Sequence, residues 1–172
     1  MKNLNDIFEI IITENITIEE VEFKNNIDGI YLKMPNLAPI IGIRSSIANN
    51  TKYISILAEE LGHHFTTIGD LTTECFTYSD RIIRTKQECR ARRWAANYLI
   101  SNEDLVHALR NSITSIYDLS DYFSVTKELI EIKIKSLQLD ESSAIIFKCI
   151  KDNEFLYNQY LIWHLILIFM YY

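Results

Sequence analysis

Glycine and proline are scarce in this 172-residue sequence, with only four and two copies. That excludes a collagen-like or linker-like chain. Basic side chains are in the minority, 17 Lys and Arg against 23 Asp and Glu, for a net charge of −6. No electrostatic footprint for nucleic-acid phosphate is therefore present. The three cysteines, Cys75, Cys89 and Cys149, form neither an even set nor a CxxC pair. A disulfide framework is thus excluded, and free thiols in a reducing compartment are expected. No apolar run reaches the ~20 residues of a spanning helix. The longest, Leu161–Tyr172 (LIWHLILIFMYY), is interrupted by His164. It is expected to be a terminal helix covered by this chain or a partner, with weak membrane contact as the alternative. Asp6 and Glu9 interrupt the apolar start, and no small-residue cleavage site follows. The expectation is a cytoplasmic chain without stable membrane insertion. What the sequence does have is 48% apolar residues, enough for a real core at this length.

Residues 2–14 predict a short amphipathic helix on Leu4, Ile7, Phe8 and Ile11. Three β-like runs follow, Thr17–Phe23, Gly29–Met34 and Ala38–Ile43, separated by Asn- and Gly-containing or Pro-containing turns. They predict a small antiparallel sheet of hairpins. From Thr51 the period changes. Tyr53, Ile54, Leu57, Ala58, Leu61 and Phe65 line one face of a helix running to Thr67. A second helix is expected over Lys86–Ile100, started by a capping-box pattern at Thr85–Glu88. Others are expected from Ser101 to about Asn111, over Ser115–Phe123 and over Thr126–Leu137. Strands followed by helices mean α+β.

The chemistry concentrates in Ala58-Glu59-Glu60-Leu61-Gly62-His63-His64. On a helix Glu59 and His63 are one turn apart on one side, with the core stripe centred opposite. A carboxylate and an imidazole so placed can grip one cation. Glu60 is offset by ~100°, where it reaches a water on that cation without ligating it. Catalytic zinc takes a third protein ligand, and Glu88 on the next long helix is the candidate. Glu88, Ala91, Ala95 and Tyr98 share a face, and the small residues allow a close helix–helix approach. Gly62, which costs a helix interior ~1 kcal/mol against Ala, fits the same contact.

AEELGHHFTT followed by TKQECRARRWAANYLI resembles the ImmA/IrrE-type metallo-endopeptidases, over about Gly29–Leu137. The family pattern is HExxH with a downstream Glu in an E-x-x-A-x-x-x-A helix, matched by Glu88, Ala91 and Ala95. The resemblance implies Glu59, His63 and Glu88 as metal ligands and Glu60 as general base. It also implies a zincin-like helical core under the sheet. The implied activity is cleavage of helix-turn-helix repressors, derepressing phage or mobile-element genes. The chain departs from the pattern in one place, with Glu59 where the family has His. A Glu/His/Glu set puts two negative charges on the metal instead of one, weakening it as a Lewis acid. It also moves the site towards Mn²⁺ or Fe²⁺, with Zn²⁺ still favoured. His107, Tyr78 and Tyr98 are the candidates for stabilising an oxyanion. The expected organisation is a metallopeptidase-like domain over 1–140, with a helix-turn-helix-like tail at about 115–137 and a helical extension over 141–172.

Plainer readings stand beside these. Glu59/His63 and Glu60/His64 are i,i+4 pairs of the kind that form solvated surface bridges. His64 is an alternative ligand partnered by Glu60. Glu88 falls at the third position of a capping box and can close onto Thr85. Lys86, Arg90, Arg92 and Arg93 are either a solvated face or a docking patch for an acidic substrate stretch. Trp94 is expected in the core, and Thr66-Thr67 at the helix end. Asp118–Leu129 resembles a helix-turn-helix, but the following helix has nearly balanced charge and is read as scaffold or docking element. The functional expectation is a metal-dependent endopeptidase acting on a repressor protein. The alternatives are a repressor-binding module without turnover and, more weakly, a DNA-binding regulator.

Overall fold

The computed structural model describes residues 2–24, 26–47, 51–68 and 76–137. Among them, six helices and three strands follow one another as expected for α+β. The chain divides into two compact units, Met1–Leu99 and Ile100–Tyr172. The boundary expected near residue 140 and the apolar end at 161–172 lie outside the described residues. No helix among the described residues is long and apolar enough to cross a membrane.

The first unit opens with α1 (Leu4–Thr13), capped by Asn3 and Asp6 in a reciprocal box, with Ile7 and Ile11 buried. Strands β1 (Thr17–Val21), β2 (Gly29–Leu32) and β3 (Ile40–Arg44) form one sheet in the order β1-β3-β2. The sheet is mixed. β3 runs parallel to β1 and antiparallel to β2, so the expected β1–β2 hairpin is replaced by insertion of β3. The reason lies in which strand can be buried. Ile41 and Ile43 are almost inaccessible, whereas β1 carries Glu19 and Glu20 in solvent. An acidic strand is tolerated only at an edge, and an apolar one takes the centre. Arg44 anchors the β1–β2 connection through Asp28 (Nε–Oδ1, 3.2 Å).

Helix α2 (Thr51–Thr66) packs beneath the sheet and against α3 (Tyr78–Leu99). α3 begins a full two turns before the expected start. Thr77 and Asp80 exchange backbone–side-chain hydrogen bonds of 2.8 and 3.1 Å, closing the true N-terminus. Thr85 is interior, its hydroxyl donating to the Arg81 carbonyl at 2.9 Å, so Glu88 is free of any capping role. The two helices meet backbone to backbone where Gly62 crosses Ala91. A Cβ built on Gly62 would lie 2.2 Å from the Ala91 carbonyl oxygen, and Ala91 and Ala95 are fully buried.

In the second unit α4 (Asn102–Arg110), α5 (Ile116–Phe123) and α6 (Lys127–Ser136) follow, the first two capped by Ser101 and Ser115. α5 packs on α6 around buried Leu119, Phe123, Val125, Leu129 and Ile130. Ser124, at φ 52°, ends α5 in the left-handed conformation. The helix-turn-helix-like stretch therefore is two helices and a short turn. Its second helix directs Lys133 inward, with Nζ donating to Asn102 Oδ1 at 2.7 Å, and holds Lys127 3.6 Å over the Tyr117 ring.

Gly62→Ala should destabilise the fold by about 2–3 kcal/mol despite alanine's better helix propensity, because the obstructing atom is backbone. Thermal unfolding should show a midpoint lower by roughly 5–10 °C; an unchanged midpoint would mean that the helices are not in contact at this point.

Candidate metal centre

The site lies on the C-terminal half of α2, where it faces α3. Glu60 and His63 are buried, at 8% and 7% exposure. The Glu59/His63 side, expected to stand away from the core, is in fact covered by α3. The helical period shows which residues share a face but not which neighbour covers it. Glu59 and Glu88 are half-buried at the margin.

His63 Nε2 stands 3.4 Å from Glu88 Oε2. Two donors of a tetrahedral ion with bonds of 2.0–2.2 Å stand about 3.3–3.6 Å apart, so this pair already has the spacing of a shared cation. The other ring nitrogen, Nδ1, is 3.1 Å from Thr67 Oγ1. A hydroxyl there fixes the ring and leaves Nε2 towards Glu88, as outer partners of metal-binding histidines do. The Glu60 carboxyl, buried as it is, makes no hydrogen bond to any described residue. It lies against the start of β2, where a Cβ on Gly29 would come within 2.7 Å of Glu60 Oε1. A buried carboxyl without a partner is rare and costly, and it is the kind of group a bound water or substrate would satisfy. The donor set and this orphaned carboxyl together fit a divalent metal.

Glu59 is the exception. Its Oε2 faces Arg92 Nε at 3.5 Å. Among the described residues no three His, Cys, Asp or Glu side chains stand together closely enough to hold one ion. The structure thus brings together His63 and Glu88, places Glu60 beside them, and leaves Glu59 next to the pair with Arg92.

Charge in this crowd follows from burial. Loss of water pushes the Glu60 carboxyl up to about 7, with Glu59 and Glu88 adding to the shift and His63 and Arg92 opposing it. Glu59 is raised, first by burial, against the pull of Arg92. For His63, burial acts downwards but is outweighed by the contact with Glu88 and by the Glu60 and Glu59 carboxyls, so its imidazolium is favoured. The contact with His63 holds Glu88 below the usual carboxylate range, aided by Arg92 and Arg84.

The remaining candidates are engaged elsewhere. His64 points to the sheet and α1, with Nδ1 2.8 Å from the Tyr31 hydroxyl and Nε2 3.2 Å from Glu14 Oε2. It ties these elements together and is not brought alongside His63 and Glu88. The Tyr98 hydroxyl donates to the Asp6 carbonyl at 3.2 Å. Tyr98 also lies ten residues beyond Glu88 on α3, about 15 Å along the axis, and its hydroxyl is not brought to the His63–Glu88 pair. Tyr78, equally far in the other direction, is exposed at the start of α3. His107 belongs to the second unit, where Asn111 and Tyr122 are its neighbours. Trp94 is half-buried and stacked between Phe65 and Tyr98. Thr66 and Thr67 do finish α2, bonding back to Gly62 and His63. Two contributors were missed by sequence reasoning: Thr67 as support for His63, and Arg92 as partner of Glu59. Their spacing, His63 plus four and Glu88 plus four, was the available signal.

A strand edge, a helix bearing the Glu-Glu-x-x-His run and a second helix closing on it with Glu88 define a minimal metallopeptidase-type centre. The sequence model of the IrrE N-terminal-like domain, Peptidase_M78, matches residues 13–135, more than two-thirds of the chain. The chain belongs to this metallopeptidase family, which implies a divalent metal. Neither a curated protein nor a solved structure matches it.

The raised groups Glu59, Glu60 and His63 all favour the proton in the folded state. Their contribution is complete below their unfolded values and is lost as pH rises through the folded ones. Chelator-treated protein should therefore be more stable to urea at pH 5.5 than at pH 8, by up to roughly 3 kcal/mol, most of it from Glu60. Glu60→Gln should flatten that slope; an equal slope in the variant would assign the effect to other groups.

Proposed function

We propose that the chain is a metal-dependent endopeptidase of the cytoplasm, acting on a helix-turn-helix-type repressor. The observation that carries the reading is the His63–Glu88 pair at 3.4 Å with the unpartnered Glu60 carboxyl buried beside it. His63 and Glu88 would hold the metal, with Glu59 as the third ligand once it leaves Arg92. Two carboxylates and one imidazole accept Zn²⁺ and also suit Mn²⁺ or Fe²⁺. A bound divalent ion supplies Lewis acidity to the scissile carbonyl and to the attacking water. Glu60 takes a proton from that water as its oxygen bonds to the carbonyl carbon. It then delivers the proton to the amide nitrogen as the C–N bond breaks, so it ends the cycle ionised as it began. Its burial matters here, because it holds the carboxyl out of bulk water beside the His63–Glu88 pair. Thr67 keeps the His63 ring in orientation.

The substrate class comes from the family resemblance. A partner protein also agrees with the chain's own charge, because α6 spends Lys133 and Lys127 on internal contacts and the net charge is −6. The Glu59–Arg92 contact favours a second reading, a repressor-binding module without turnover. One experiment separates them. Purified protein loaded with Zn²⁺ or Mn²⁺ is incubated with a panel of purified helix-turn-helix repressors, and fragments are followed by mass spectrometry. Cleavage should occur, and Glu60→Gln should retain the metal while losing about 10²–10⁴-fold in rate. Glu88→Ala should lose metal, about 10-fold or more in affinity. Binding of a repressor without fragments from the loaded parent protein would establish the second reading instead.

A further inference from the structure

Arg92 lies at the edge of the centre, one helical turn after Glu88 and next to Ala91, the residue that touches Gly62. Its side chain is half exposed, and Glu59, which it faces, is about one-quarter exposed. The contact is therefore at the rim, where ion pairs are individually weak and exchangeable. Glu59 has one oxygen turned to the guanidinium. A carboxylate in that arrangement has lone pairs committed to Arg92 and must give them up to approach a cation.

We infer that Arg92 competes with the metal for Glu59 and so sets how tightly the centre holds its ion. This inference rests on the metallopeptidase reading. The competition exists only because residue 59 is a carboxylate: a neutral imidazole offers no negative charge to a guanidinium. Two consequences follow. With Arg92 engaged, the centre has His63 and Glu88 as its ready ligands and Glu59 as a conditional third. When Arg92 turns outward, its charge is released to solvent, and Glu59 can close on the ion. Arg92 acts through Glu59 and is a positioning residue.

The test measures Zn²⁺ affinity of the full chain by competition with a chromophoric chelator, independently of any cleavage. Arg92→Gln should bind about ten-fold tighter or more, since both the competing donor and its like charge are gone. Arg92→Lys, which keeps a cation in reach, should stay within about three-fold of the parent. A double-mutant cycle isolates the competition. In a Glu59→His background, Arg92→Gln should yield only a small part of the gain seen in the parent. Equal or weaker binding by Arg92→Gln overturns the inference, as does an undiminished gain in the Glu59→His background, which would mean general repulsion. Either of those outcomes leaves the peptidase reading standing. Failure of the parent and every variant to bind Zn²⁺ overturns both.

Discussion

The close crossing of α2 and α3 at Gly62 and Ala91 is the contact on which the centre depends. His63 follows Gly62 directly, and Glu88 precedes Ala91 by one turn, so the crossing fixes the distance between their side chains. Any side chain at position 62 would strike a carbonyl, which cannot be moved without moving the helix. The approach is kept close on the other side by Ala91 and Ala95, both fully buried. Glycine is a poor helix residue, and here its lost propensity is exchanged for a helix separation that brings an imidazole and a carboxylate from different helices to 3.4 Å. Packing, and not the loops, positions the donors, which is why they are held on two rigid elements.

That packing has an electrostatic consequence. Three carboxyls, Glu59, Glu60 and Glu88, are drawn into one partly dry region with one imidazole. Burial of like charges is unfavourable, and a protein relieves it by binding protons, by pairing, or by taking up a cation. All three are visible here. Glu60 is pushed up to about 7, Glu88 pairs with His63, and Glu59 turns to Arg92. A divalent ion would answer the same imbalance in one step, drawing the imidazole and the carboxylates to itself. The region gains nothing for stability from this concentration of acid groups, and such regions are where function is to be sought.

Much of this arrangement was readable from the chain. The apolar period of Thr51–Thr67 marks α2, and the recurrence of Glu88, Ala91 and Ala95 marks the face of α3 that meets it. What local pattern misses is decided by non-local choice. The Thr85–Glu88 pattern satisfies the rules of a capping box as well as Thr77–Asp80 does, and nothing local distinguishes them. Only the second is at a helix end, where Thr77 and Asp80 exchange hydrogen bonds, whereas the Thr85 hydroxyl donates back into the helix to the Arg81 carbonyl. Strand order fails for the same reason. Turn residues between β1 and β2 invite a hairpin, but central burial of Ile41 and Ile43 forces β3 between them. His64 shows the limit for side chains. It is adjacent to His63, yet 100° around the helix, and that rotation takes it from the metal centre to Tyr31 and Glu14.

The position of Glu60 links the sheet to the chemistry. A carboxyl buried without a hydrogen bond costs on the order of 1–3 kcal/mol, and an ordinary core would bury a methyl group there instead. The chain instead opens room for it. Gly29, at the first position of β2, lacks the Cβ that would come within 2.7 Å of Oε1 and within 2.5 Å of an Ile56 methyl carbon. β2 is an edge of the sheet, so the carboxyl is set under a strand whose outer side has no partner strand among the described residues. A glycine at a strand start and a glycine inside a helix thus act on the same pair of elements. Gly62 draws α3 in to bring Glu88 to His63, and Gly29 draws β2 in over Glu60. Both remove a side chain where the backbone must come close, and between those two approaches lie Glu60 and His63 of α2.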